Sequence, residues 1–334
     1  MVQPAKLDAD RPLRVGVVGV GVMGSNHARV FGRSARRQAH RRGGPGQQAA
    51  RFRFEGARAA LRSAALTPLL AEGVDAVTIA APRIFIRNWR SPASSAACMC
   101  WWKSRSRRRW KRDAQSSPRP GSAGVALMVG HVERFNPTVE AIKDAIRDED
   151  ILSIAITRVG PFPPRMSNVG VVIDLAVHDI DLIRWFTGSE IAEVQPQLSS
   201  AVAEREDIAL LQFRTASGVL AHINTNWLTP FKARNVTVAT RNKYIMGDLL
   251  TRQVTECFGF QPDGSYSMRH LSVGHAEPLR AELQAFVGAI RSGKEPAVTG
   301  EEGVASLEIA IRCLESRALP SVARRRAGPR RLTG

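Results

Sequence analysis

The apolar, β-branched run Leu13-Arg-Val-Gly-Val-Val-Gly19 opens directly into Gly19-Val-Gly-Val-Met-Gly24, and helical character follows from Ser25 to Phe31. Strand, glycine turn and helix in that order constrain the fold more than any other stretch. In this arrangement Gly19 makes the tight turn, Gly21 lets backbone approach a pyrophosphate, and Gly24 lets helix pack on strand. The spacing predicts the first unit of a parallel sheet that binds a dinucleotide, with Gly19, Val20, Gly21, Val22, Met23 and Gly24 around it. A glycine turn in an ordinary βα unit is the competing reading. An acid that holds the ribose hydroxyls is expected about 20 residues later, but the chain reads Gly43-Gly-Pro-Gly46 among arginines, with no acid before Glu55. Arg41 and Arg42 could serve a 2′-phosphate instead, so NAD and NADP both stay open.

Val74 to Pro82 reads as a buried parallel-type strand with a proline stop, which makes Ala81 and Pro82 further cofactor contacts. Val125 to His131 is another strand, and Asn136-Pro137 opens a helix to about Asp148. Longer strands follow at Ile151–Val159, Ile191–Leu198, Ile208–Arg214, Val219–Trp227 and Val236–Thr240. Helices resume at Glu277–Arg291 and Gly300–Arg317. This order predicts an α/β chain. Residues 1–130 form an N-terminal Rossmann domain, 131–316 an α+β substrate and oligomerisation domain, and 317–334 a basic tail.

The chemistry is expected in Gly170 to Trp185, whose apolar residues recur at helical spacing and which Gly188 stops. Asp174 and His178 are four apart and share a helical face. A carboxylate one turn from an imidazole can fix its tautomer and raise its basicity, as a general base needs. A half-buried pair tying a helix to its neighbours has the same pattern.

Charge separates two segments from the rest. The net charge is +18, yet residues 33–60 hold eight Arg against one Glu, and 83–122 hold eleven Arg or Lys against one Asp. Nearly all the excess therefore sits in two blocks, and a nucleic-acid partner is not expected from the remainder. Four of six Trp (Trp89, Trp101, Trp102 and Trp110) fall in the second block. No run of about 18 apolar residues suggests a membrane span. Met1 to Pro12 lacks the apolar core of a signal peptide, so a cytoplasmic location is expected. The four cysteines show neither metal nor disulfide spacing; Cys98 and Cys100 make only a Cys-x-Cys, and no metal site is expected.

Gly19-Val-Gly-Val-Met-Gly24, Val129-Gly-His-Val-Glu-Arg-Phe-Asn-Pro137 and Asp174-Leu-Ala-Val-His-Asp-Ile-Asp181 resemble motifs of the Gfo/Idh/MocA family of NAD(P)-dependent oxidoreductases. Arg158-Val-Gly-Pro-Phe-Pro-Pro-Arg165 and Thr225-Asn-Trp-Leu-Thr-Pro230 look most like its UDP-N-acetylglucosamine 3-dehydrogenase group. The resemblance implies a large, mostly antiparallel open sheet in the second domain and a homodimer or homotetramer. It also implies hydride transfer between nicotinamide and a sugar hydroxyl, at C3 of a UDP-N-acetylhexosamine. His178 would be the base and Asp174 would orient sugar or imidazole. Arg158 and Arg165 are candidates for the phosphates, Glu133, Arg134 and Asn136 for substrate contacts, and Asn226 and Trp227 for flanking the sugar. Helix capping by Asn136 and a core role for Trp227 are the alternatives.

The family's Glu-Lys-Pro motif, which carries a catalytic lysine, is missing, and the genetic code accounts for it. Met99 is ATG, Trp101 and Trp102 are TGG, Cys100 is TGT or TGC, and Lys103 is AAA or AAG. Read from the third base of Met99, the same nucleotides give Val-Leu-Val-Glu with no free choice, and Lys-Pro is permitted next. Residues 83–122 therefore read as an out-of-frame translation, and 33–60 as a second one. Lys103 lies beside the lysine's place, but a one-residue slip on a strand turns its side chain to the other face. Both blocks are expected to lose sheet strands, and with them more than a typical margin of about 5 to 15 kcal/mol. Another sugar or inositol dehydrogenase of the family, an inactive relic, and a basic nucleic-acid binder are the rival readings.

Overall fold

The computed structural model describes residues 13–19, 21–32, 52–54, 57–63, 74–80, 97–100, 126–163 and 169–316. Val20, Ala81, Pro82, Lys103, Arg165 and the tail 317–334 lie outside these residues. The first strands are β1 (Leu13–Val18), β2 (Phe52–Phe54), β3 (Ala57–Ser63), β4 (Ala76–Ile79), β5 (Ala97–Cys100) and β6 (Leu127–Val129). They form one sheet in the order β2-β3-β1-β4-β5-β6, parallel throughout except where β2 meets β3. From β1 the chain goes to β3 on one side and then crosses to β4 on the other. That reversal is a topological switch point, where ligands bind outside the strands' carboxyl ends.

The arginine-rich blocks do contribute strands, contrary to the sequence expectation. β2 and part of β3 come from the first block and β5 from the second. The reason lies in main-chain chemistry. The facing edges of β4 and β6 need partners for their peptide groups, and the uncharged run Ala97-Cys-Met-Cys100 supplies them through the pairs Ile79↔Cys100 and Cys100↔Val129.

α1 (Val22–Phe31) follows the glycine turn, and Gly24 explains how closely it lies. A Cβ on Gly24 would stand 2.0 Å from the carbonyl oxygen of Gly19, so only glycine permits the approach. Gly19 itself has φ 123°, in the region that favours glycine.

Past β6 the chain forms a 3₁₀ turn (Val132–Phe135) and α2 (Pro137–Ala145). The second sheet contains β7 (Ile151–Val159), β8 (Ile191–Ser199), β9 (Ile208–Thr215), β10 (Leu220–Asn226), β11 (Ala233–Thr240), β12 (Lys243–Asp248), β13 (Gln253–Phe258) and β14 (Ser267–Leu271). Its order is β14-β13-β12-β11-β7-β10-β9-β8, antiparallel except between β7 and β10. Alternation sets the faces: along β9, Ala209, Leu211, Phe213 and Thr215 are buried while Leu210, Gln212 and Arg214 are exposed.

α3 (Val177–Thr187) lies on the buried face of this sheet, entered through a π turn at Val172–Ala176 and ended by Gly188 at φ 59°. α4 (Pro278–Ser292) and α5 (Gly300–Glu315) complete the described chain. α5 joins the core of the second sheet through Leu307, Ile309, Ala310 and Ile311. α4 instead packs Leu283, Phe286 and Val287 against Val15, Val17, Phe31 and Met128 of the first. The chain thus returns to its first core, which ties the two sheets together. Among the described residues no helix is long and apolar enough to cross a membrane.

Candidate active site

Parallel pairing of β1, β4, β5 and β6 brings three described segments to one edge: the glycine turn after Val18, Ala80 after β4, and Gly130-His131 after β6. Each follows a strand's carboxyl end, where ligands bind in sheets of this kind. His131 is buried, and its Nδ1 lies 3.4 Å from Nδ1 of His178. The two rings meet edge to face, with centroids 5.5 Å apart. Burial drives the His131 imidazole below its ordinary pKa, against the pull of the Asp181 carboxylate. His178 begins the second residue of α3 and is half-buried; Asp174, in the π turn, is buried. Such wide turns recur at functional sites.

Two buried ion networks fix this geometry. Arg134 holds Asp181 in bidentate fashion, Nε to Oδ2 at 2.7 Å and Nη2 to Oδ1 at 2.8 Å, and donates from Nη1 to Glu302 at 2.7 Å. The turn, α3 and the start of α5 are thereby joined. Arg158 of β7 donates from Nη2 to Asp179 at 2.7 Å and from Nη1 to Glu133 at 2.7 Å, and Arg234 of β11 approaches Glu133 at 3.3 Å. Burial opposes ionisation of Glu133, but Arg158 and Arg234 beside it hold its carboxyl below the ordinary value.

Several sequence candidates therefore have a different place from the one expected. Arg158 is buried with its guanidinium on Asp179 and Glu133, so it is not available to a substrate phosphate. Glu133 and Arg134 are buried on these internal partners. Asn136 caps α2, its Oδ1 accepting from the Thr138 N–H at 3.1 Å, and donates to Glu133 at 3.2 Å. Trp227 is 3% exposed in the second core and stacks edge to face with Phe162. Asn226 ends β10, where its Oδ1 accepts from the Leu228 N–H at 2.9 Å. Asp174 and His178 both fall on the segment expected, Asp174 in the π turn and His178 in α3. His131 was the residue that sequence reasoning missed. Its signal was available: an imidazole two residues past a strand end, before a run of two charged residues.

The glycine turn can be tested for a dinucleotide from the chain alone. Gly21 has φ −78° and ψ −170°, which any residue adopts, and a Cβ there would meet nothing within 4 Å. Neither backbone nor packing requires glycine at this position. Open room over a turn at the start of a helix suits a phosphate group, since the first N–H groups and the helix dipole both favour an anion.

The fold is of a two-sheet type whose first sheet has Rossmann topology. Residues 152–245 match the GFO/IDH/MocA C-terminal domain. The chain is 25% identical over 319 residues to UDP-N-acetylglucosamine 3-dehydrogenase of Acidithiobacillus ferrooxidans, covering 90% of this chain and 95% of that protein. It is 31% identical over 207 residues to inositol 2-dehydrogenase of Rubrobacter xylanophilus, a match that spans 57% of either chain. A solved structure of the Acidithiobacillus enzyme superposes with a TM-score of 0.71 at 21% identity, over 91% of this chain and 97% of that one. Levoglucosan dehydrogenase in complex with NADH and levoglucosan superposes with a TM-score of 0.72 at 17% identity, over 92% and 97%.

Proposed function

We propose that the chain is an NAD(P)-dependent dehydrogenase that oxidises a ring hydroxyl of a sugar, and specifically C3 of a UDP-linked N-acetylhexosamine. The observation that carries the reading is the approach of a second imidazole, His131 just past β6, to within 3.4 Å of His178, together with the open room over the glycine turn at Gly21. Bound nicotinamide supplies the hydride acceptor, or the donor in the reverse direction. The rest falls to side chains. Gly19, Gly21, Val22, Met23 and Gly24 form the dinucleotide turn. His178 takes the hydroxyl proton as the C–H bond breaks, which avoids a free alkoxide. Asp174, one turn earlier, orients the hydroxyls or the ring.

The UDP part of the reading is supported by the 25% identity that extends along almost the whole relative. With Arg158 committed to Asp179 and Glu133, the diphosphate needs another cation. Arg165 is the candidate. An inositol-type substrate is the second reading, favoured by the 31% identity over the shorter segment. The exposed apolar residues of the second sheet, among them Leu210, Leu220 and Met246, support a homodimer or homotetramer through that face, and we place the protein in the cytoplasm. The test is a panel of UDP-N-acetylglucosamine, UDP-N-acetylgalactosamine, myo-inositol and glucose with NAD or NADP, read by nicotinamide absorbance. Turnover of the UDP-sugars over the free polyols is expected; preference for inositol would replace the substrate assignment.

A further inference from the structure

Two nitrogens of the same kind, Nδ1 of His131 and Nδ1 of His178, face each other at 3.4 Å. Only one of them can carry the proton between them. The choice fixes both tautomers, and the surroundings of His131 decide it. Its other nitrogen, Nε2, has no hydrogen-bond partner and lies 3.8 Å from Oδ1 of Asp181. If His131 donated from Nδ1, its Nε2 lone pair would point at a buried carboxylate. If it accepts at Nδ1, an N–H points there instead.

Asp181 is held in that position independently of the imidazole, by the bidentate Arg134 contact and by the Ser306 hydroxyl at 3.2 Å. The other charged groups acting on His131 are Arg134 on its own turn, Arg184 on α3 and Glu302 on α5. Of these, Arg134 is paired with Asp181 and Glu302, and Arg184 with Glu190. Asp181 is therefore the carboxylate that sets the ring's polarity.

We infer that His131 is a positioning residue: oriented by Asp181, it accepts a hydrogen bond from Nδ1–H of His178 and so keeps the basic lone pair of His178 on Nε2. The inference rests on the reading of His178 as the base and adds a partner on a different chain segment from Asp174. The arrangement follows the logic of a carboxylate that fixes a catalytic imidazole, with one more ring in between. The His131 ring transmits orientation and receives no proton from substrate.

The test does not depend on turnover. Long-range ¹H–¹⁵N correlation spectra of the whole protein, with His178 assigned through His178→Gln, report which ring nitrogen is protonated. At pH above 7, His178 is expected as the Nδ1–H tautomer in the wild type. His131→Phe keeps the ring volume but removes the acceptor, and should shift His178 toward Nε2–H. His131→Asn keeps a polar side chain able to accept at the Nδ1 position and should retain Nδ1–H. In turnover, His131→Phe should lower kcat by about tenfold to a hundredfold with KM nearly unchanged, at most the lower end of a general base's contribution, and His131→Asn should recover most of it. An Nε2–H tautomer in the wild type, or one unaltered by His131→Phe, overturns the inference. The expected tautomers with no oxidation of any sugar leave it standing and defeat the substrate reading alone.

Discussion

Gly21 and Gly24 stand three residues apart in one motif, yet the same added methyl group should act on them in opposite ways. At Gly21 the backbone suits alanine and a Cβ would meet nothing within 4 Å. Gly21→Ala should change folding stability by less than about 0.5 kcal/mol, as an uncrowded surface substitution does. At Gly24 the new Cβ would stand 2.0 Å from the Gly19 oxygen and 2.7 Å from its carbonyl carbon. Both belong to backbone and cannot swing aside. Reaching ordinary contact near 3.4 Å requires the helix to retreat by roughly 1.4 Å. Overpacking of this kind costs about 1–3 kcal/mol, offset by up to about 1 kcal/mol of helix propensity gained over glycine.

The assay is urea unfolding without nucleotide, then titration with NAD and NADP. Gly24→Ala should unfold at lower urea and bind poorly. Gly21→Ala should unfold like the wild type but lose at least tenfold in nucleotide affinity, about 1.4 kcal/mol, and with it most of the nucleotide-dependent rise in Tm. Wild-type affinity in Gly21→Ala would refute the argument that a pyrophosphate fills the room above this turn. Unchanged stability in Gly24→Ala would refute the tight helix-to-strand contact.

Glu282, buried on α4 beside Glu133 with neither carboxylate oxygen hydrogen-bonded, has its pKa pushed up to about 8 by burial. A raised acid stabilises the fold below its unfolded value and loses that contribution as pH rises from about 4.5 to about 8, roughly 3 kcal/mol by pH 7. Glu282→Gln should flatten the decline in urea stability over that window, and an unchanged slope would count against it. Arg158→Met removes the cation shared by Asp179 and Glu133, and should cost about 3–5 kcal/mol; adding Asp179→Asn should recover part of the loss in a double-mutant cycle. Replacing residues 83–122 by the out-of-frame reading that contains Glu-Lys-Pro should raise kcat by at least about a hundredfold, and equal turnover of both chains would remove the reason to invoke the second frame.

The fold was legible along most stretches where burial imposes a period on the sequence. The Ile151–Val159 strand lies at the residues expected, and α3 stops at Gly188 because a left-handed cap there needs glycine. The last three strands of the second sheet were not read. Ser267 to Leu271 forms an edge strand that is exposed almost throughout, so no burial pattern distinguishes it. β5 was hidden for a different reason: its four residues take part in the sheet through main-chain pairing, which leaves little signature in side-chain type.

The site divides along similar lines. Asp174 and His178 stand out in the sequence because spacing along one continuous segment is a local property. The partners of Arg158 could not, because Asp179 and Glu133 come from separate elements that meet only in the folded chain. A buried arginine and a phosphate-binding arginine look alike in a sequence; the number of carboxylates within reach tells them apart. The same holds for His131, which lies 47 residues from His178 in the chain. Its role depends on which nitrogen faces Asp181, and that is decided by how α3 and the end of β6 pack. Residue type announces that chemistry is possible here, while direction, set by tertiary packing, determines which atom performs it.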